Sequence, residues 1–149
     1  MNLSPNFTLE ELAKTNVRGI DNTPPADIIE RLRIVAMRIL QPVRDEFGTV
    51  IVNSGYRSPA VNRAVGGSKT SQHMRGEAVD FEVPGKNNFF VAQWVQHNLH
   101  FDQLILECYV PGGDPNSGWV HCSYITPEQH NRRLVLTFDG KQYYEGLQP

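Results

Sequence analysis

The sequence predicts an α+β protein in which N-terminal helices pack on a small, mostly antiparallel sheet. Three patterns predict it. Ile28, Leu32, Val35, Ile39 and Leu40 recur at helical spacing and form one apolar stripe. From residue 49 onward, short β-rich runs are separated by Gly, Pro, Asn and Asp. Apart from a short turn of helix ending at Gly66-Gly67, one further helical pattern, over residues 89–99, lies among those runs, so strands and helices do not alternate regularly.

Each element has a local cause. Thr8 with Glu11 three residues on makes a capping box, and Phe7 and Leu12 stand where a hydrophobic staple places them. Residues 16–25 are rich in turn formers and read as a loop. The second helix begins near Pro25 and runs to about Phe47. Pro42 should kink or split it near Leu40, and Gly48 closes it. Residues 49–53 read as a strand. Ser58-Pro59 is an N-cap and first-turn pair for a short helix that ends at Gly66-Gly67. Residues 68–76 are polar and read as a loop. Residues 78–83 alternate as a strand does, and Pro84-Gly85 ends it. Asn87 or Asn88 caps the helix over 89–99. Residues 104–110 and 119–125 read as strands joined by a Gly- and Pro-rich loop. Residues 134–138 and 142–144 flank Asp139-Gly140, a hairpin signal. No repeat, low-complexity tract or linker divides the chain, so one domain over 1–149 is expected.

The charge balance is 14 basic against 16 acidic side chains, a formal net charge of -2. It gives no general drive toward nucleic acid or anionic lipid, and neither is an expected partner. A monomer is expected. Cys108 and Cys122 are too few for a disulfide framework and too far apart for a thiolate zinc site. Both fall in strand-like stretches and read as buried free thiols. A single bridge between neighbouring strands is the other reading. The N-terminus, MNLSPNFTLEEL, has no basic or apolar leader region, and no run approaches membrane-spanning length. Synthesis in the cytoplasm is expected, and any action outside requires a separate route of release.

His73 and Asp80 are separated by six residues, the histidine in a loop and the aspartate in the strand that follows. His121 stands in a later strand. Imidazole nitrogen and carboxylate oxygen are ordinary zinc donors, and three protein donors leave a fourth position open, as catalytic sites do. Asp80 lies between Val79 and Phe81 in an otherwise apolar strand, so its carboxylate needs a partner, either a metal or an arginine. His97, His100 and His130, near a helix end or in loops, read as solvated.

Metal-assisted peptide hydrolysis needs a group that takes a proton from water. Glu107 is the expected base. A hairpin centred on Asp114 puts Glu107 opposite His121, with Cβ atoms about 4.5–5.5 Å apart, Ile105 opposite Ser123 and Val110 opposite Gly118. A one-residue slip would turn Glu107 to the other face. An exposed strand carboxylate is the other reading of Glu107, and Asp114 is the second choice of base. Arg57, in Ser54-Gly-Tyr-Arg-Ser58, either grips a substrate carbonyl or carboxylate or serves a salt bridge within the fold. Ser71 is a substrate contact or a capping hydroxyl. Trp119 walls the cleft or belongs to the core. Gly76 lets the chain turn from loop to strand. The Gly66-Gly67 pair lacks the Lys-Ser/Thr of a phosphate loop.

Ser54-Gly-Tyr-Arg-Ser58, Ser71-Gln-His-Met-Arg-Gly-Glu-Ala-Val-Asp80 and Trp119-Val-His121 together resemble the peptidase M15 family, zinc D-alanyl-D-alanine carboxypeptidases and related phage endolysins. The resemblance implies an α+β fold of the D-Ala-D-Ala carboxypeptidase/hedgehog-like kind, with a small antiparallel sheet carrying a zinc site. It implies Zn2+ on His73, Asp80 and His121, Arg57 at the scissile carbonyl and Ser71 on the substrate. The implied substrate is the peptide stem or cross-bridge of bacterial peptidoglycan. Many members carry an acidic base three residues before the last histidine ligand. That position is Gly118 here, and Glu107 fills the gap. The rival expectation is an inactive peptidoglycan-binding module, or a phage structural component, that keeps the metal site. A phage or prophage lysis protein released through a holin is the expected setting.

Overall fold

The computed structural model describes residues 1–149 as an α+β arrangement with a mixed sheet. The chain opens with a small hairpin, β1 (Asn2–Ser4) on β2 (Phe7–Thr8), which the sequence patterns did not flag. The helix α1 (Leu9–Ala13) follows. Thr8 Oγ1 accepts from the Glu11 N–H at 3.2 Å and Glu11 Oε1 accepts from the Thr8 N–H at 3.2 Å, which completes the expected capping box.

The long second helix is split where Pro42 requires it. The helix α2 (Ala26–Val35) passes into a π turn over Ala36–Leu40, in which the Gln41 N–H bonds the Ala36 carbonyl, and then into α3 (Gln41–Phe47). Pro42 has no N–H to give, and its ring crowds the preceding turn. The wider π turn, with Pro42 in the first turn of α3, relieves both problems without breaking the axis. Gly48, at φ 90°, ends α3. The helix α4 (Pro59–Ala64) is capped by Ser58, and α5 (Asn88–Asn98) by Asn87, whose Oδ1 accepts from the N–H groups of Phe89 and Phe90.

Six strands make the main sheet in the order β3-β4-β6-β5-β7-β8. They are β3 (Ile51–Ser54), β4 (Ala78–Glu82), β5 (Gln103–Glu107), β6 (Trp119–Ser123), β7 (Leu134–Phe138) and β8 (Tyr143–Glu145). Every neighbouring pair is antiparallel except β5 with β7, which run parallel. The predicted strand over 104–110 stops at Glu107. There Cys108 takes φ 56°, and its N–H makes the last bond of the pairing with β7, to the Phe138 carbonyl at 2.8 Å. Cys108 is consequently only partly buried and outside any strand, a correction to its expected place, while Cys122 is fully buried in β6. Both thiols are free.

Strand alternation gives the sheet two chemically distinct faces. Val79, Phe81, Leu104, Val120 and Cys122 share one face and are fully buried. They belong to a cluster that also holds Leu32, Val35, Ile39, Leu40 and Val43 from the helical segments and Val91 and Val95 from α5. The intervening residues, Asp80, His121, Ile105 and Leu136, form a continuous row on the other face. The site is built on that row.

Candidate metal centre

Asp80 and His121 are direct cross-strand partners in β4 and β6. Opposed residues project to the same face with their Cβ atoms about 5 Å apart, so the pairing alone brings carboxylate and imidazole together. His73 arrives from outside the sheet on a 3-10 turn, Gln72–Arg75. Ser71 caps that turn, its Oγ accepting from the His73 N–H at 3.2 Å. Gly76 closes it at φ 70°, and a Cβ there would stand 2.8 Å from Ile28 Cγ2. Only glycine meets both demands. The Arg57 N–H bonds the His73 carbonyl at 3.0 Å and fastens the two functional loops together.

Three donor atoms converge. His73 Nε2 lies 3.3 Å from Asp80 Oδ2, and His121 Nδ1 lies 2.9 Å from Asp80 Oδ1. One ligand atom from each residue lies within 4.8 Å of the other two, and all three residues are buried. His73 Nδ1 stands 2.7 Å from the Gly55 carbonyl oxygen, which can only accept. Nδ1 therefore carries the proton and donates, leaving Nε2 free to act as a ligand, the orienting arrangement usual behind metal-bound histidine. Burial works to raise the Asp80 carboxyl, but the charge and hydrogen bonds of His73 and His121 outweigh it and hold the group far below the usual carboxylate range. Burial likewise works against charge on His121, yet Asp80 lifts that imidazole above its ordinary value. The pocket therefore favours positive charge beside Asp80. Two nitrogens, one carboxylate and an open side fit a divalent zinc ion.

A cleft of about 490 Å³ opens over the donors. Arg57, Ser71 and Glu107 line it together with His73, Asp80 and His121. Glu107 does not lie opposite His121, as the hairpin centred on Asp114 required. Ile105 does, and Glu107 pairs with Trp119. The pairing is centred on Gly113, which moves the register by two residues. A shift of two returns each side chain to its original face, so Glu107 remains in the cleft with His121. Val110 falls outside the ladder altogether. Burial and the Asp80 charge push the Glu107 carboxyl above its usual value, against the opposing pull of His121 and Arg57.

Arg57 Nη2 is 4.0 Å from Asp80 Oδ2 and its Nη1 donates to Asn62 Oδ1 at 3.0 Å. The salt-bridge alternative for Arg57 is thus met by an internal ion pair, and the side chain also lines the cleft. Ser71 is a capping hydroxyl that also lines the cleft. Trp119 is not among the lining residues. It sits beside Glu107, its indole N–H buried without a partner. Asp114 is exposed on the far loop and accepts from the Asn116 N–H. His97, His100 and His130 are exposed, as expected.

Several residues that support the site were not singled out from the sequence. Asn22 bridges the Ala13 and Tyr56 carbonyls and accepts from the Ser58 N–H, which fixes the loop holding Arg57. Asp102, Gln72 and Arg132 form a linked set at the other end of the cleft.

Comparison with known proteins agrees with this geometry. The family described as Peptidase M15 matches residues 5–123. The zinc D-Ala-D-Ala carboxypeptidase of Streptomyces albus G is 31% identical over 119 residues, which cover 73% of this chain and 46% of that protein. The chain thus spans about half the length of this relative.

Proposed function

Because the chain belongs to the peptidase M15 family, we propose that it is a zinc metallopeptidase that hydrolyses peptide bonds of bacterial peptidoglycan, as a D-Ala-D-Ala carboxypeptidase or an endopeptidase. One observation carries the reading. The His73, Asp80 and His121 donors converge to within 4.8 Å of one another on the wall of a cleft that also holds Glu107 and Arg57.

His73, Asp80 and His121 hold the ion. Zinc bound there supplies a Lewis acid that polarises a carbonyl and makes water more acidic. Glu107 takes a proton from the attacking water onto its carboxylate and delivers it to the leaving amine nitrogen. Arg57 donates to the oxygen of the scissile carbonyl, where negative charge grows. Its guanidinium is held for this by Asn62 and by the backbone tie to His73. Ser71 keeps a hydroxyl proton to offer the substrate, since its oxygen only accepts within the fold.

Zinc content of the purified protein, followed by mass spectrometry of peptides released from cell walls, tests the reading and identifies the bond. One zinc per chain with released stem peptides is the expected result. Bound zinc with no release by the native protein would favour the inactive binding module instead.

A further inference from the structure

The cleft has a wall that hydrolysis itself does not use. Arg132, Leu136 and Tyr143 line it. All three lie beyond residue 123, where the family match ends. The metal donors and this wall therefore come from different stretches of the chain.

Arg132 is held there with unusual firmness for an exposed side chain. Its Nε donates to Asp102 Oδ1 at 3.0 Å and its Nη2 to Asp102 Oδ2 at 2.8 Å. Its backbone N–H also bonds Oδ1, at 3.0 Å. Asp102 is 1% exposed while the Arg132 side chain is 58% exposed. Gln72 Nε2 adds a fourth bond to Asp102, at 2.9 Å, from the residue beside His73. The buried carboxylate is thus saturated from one side and works as an anchor. The guanidinium above it is fixed in plane, and its Nη1 donates to no protein acceptor. Of the other two arginines of the cleft, Arg57 is the one assigned to the scissile carbonyl, and Arg75 bonds Glu77 Oε1 at 2.7 Å and the Thr70 carbonyl at 3.4 Å. A planar fork with spare donors, held still over a cleft, matches a carboxylate.

We propose that Arg132 is a specificity residue of this cleft that binds a carboxylate of the substrate away from the bond being cut. The proposal rests on the peptidase reading and names what the substrate must carry. Leu136 and Tyr143 flank the bound acid with apolar and aromatic surface.

The test uses zinc-loaded protein and peptidoglycan stem peptides in which each carboxylate in turn is replaced by its carboxamide. Amidating the recognised carboxylate lowers kcat/KM of the native protein by about tenfold or more, chiefly through KM, the size expected of a lost charged hydrogen bond. In R132Q the ratio of acid to amide rates collapses toward one, and R132K restores part of it. An unchanged ratio in R132Q overturns the proposal and marks Arg132 as a structural tie alone. A second readout needs no turnover. Glutarate titrated into zinc-loaded protein should shift the Arg132 Nε–H resonance more than its monoamide does, and equal shifts would overturn the proposal as well. A native protein that cleaves no peptide would defeat the peptidase reading, while the titration would still decide whether Arg132 binds carboxylate.

Discussion

Gly118 packs its Cα directly against the backbone carbonyl of Glu107. At φ +66°, a Cβ on Gly118 would run into the Glu107 carbonyl oxygen and approach the Cys108 oxygen to 2.7 Å. The position where the family resemblance leads one to expect an acid is therefore closed to a side chain, and the carboxylate that enters the cleft belongs to the residue it touches. Gly118→Ala should destabilise the protein by about 2 kcal/mol or more, from the left-handed backbone and the collision together. Urea unfolding measures it. Placing Glu at 118 should not restore cleavage to a protein that lacks Glu107, and recovered activity in that double variant would refute this account.

Glu107→Gln keeps the shape and removes the base. Zinc content and melting temperature should stay near native, while kcat falls by about 10²–10⁴-fold, the usual worth of a positioned acid–base group. Zinc analysis beside steady-state kinetics checks both halves. A fully active variant would move the base elsewhere.

His121→Ala removes one of the three donors and leaves Asp80 with a single imidazole neighbour. Bound zinc should drop well below one per chain. Chelation should abolish activity in the native protein, and added zinc should restore it. A ligand that binds only the folded state also stabilises it, so chelation should lower the native melting temperature. The His121→Ala variant should show no such drop, because it has little metal to lose.

The pH dependence of stability should report on Asp102. Burial works to raise its carboxyl, but hydrogen bonds from Arg132 and Gln72 prevail and hold it below the ordinary value. A depressed folded-state pKa gives stability that is present above the unfolded value, about 4, and lost as pH falls through the folded one. Asp102→Asn should therefore cost about 1–3 kcal/mol at pH 7, the range for hydrogen bonds to a charged group. The gap to the native protein should narrow as the pH falls below about 4. A gap that stays constant with pH would show that Asp102 contributes shape and not charge.

What the sequence revealed was local chemistry. Thr8 with Glu11, Ser58-Pro59, Asn87 and Pro42 each act on backbone within a few residues, and each did so where expected. The grouping of His73, Asp80 and His121 was legible because donor chemistry is written in residue type, and strand alternation put Asp80 and Glu107 on definable faces. What stayed hidden depends on distant partners. The parallel pairing of β5 with β7 joins segments separated by β6, and no local pattern encodes it. The register of β5 on β6 was misjudged by two because Cys108, a non-glycine residue at φ 56°, ends the ladder early. Asp102 gave one faint sign, a carboxylate between Phe101 and Gln103 at the start of an apolar strand. Nothing in the spacing pointed to Arg132 as its partner.

Arg57 owes its placement to an absence. A Cβ on Gly67 would collide with Asn62 Oδ1 and lie 2.6 Å from Arg57 Nη1. Gly67 has no positive φ, so Gly67→Ala strains no backbone and acts only by pushing on that hydrogen-bonded pair. Displacing a positioned group by about 1 Å can cost on the order of 10²-fold in rate. Gly67→Ala should accordingly lower kcat/KM by about 10–100-fold while leaving zinc content near native. Asn62→Ala removes the acceptor for Nη1 and should produce a fall of similar kind. Because both changes act on one guanidinium, the double variant should lose less than the two single losses combined. Steady-state kinetics on the four proteins, with zinc measured in each, completes the cycle. Strictly additive losses would mean that Gly67 and Asn62 do not act through Arg57.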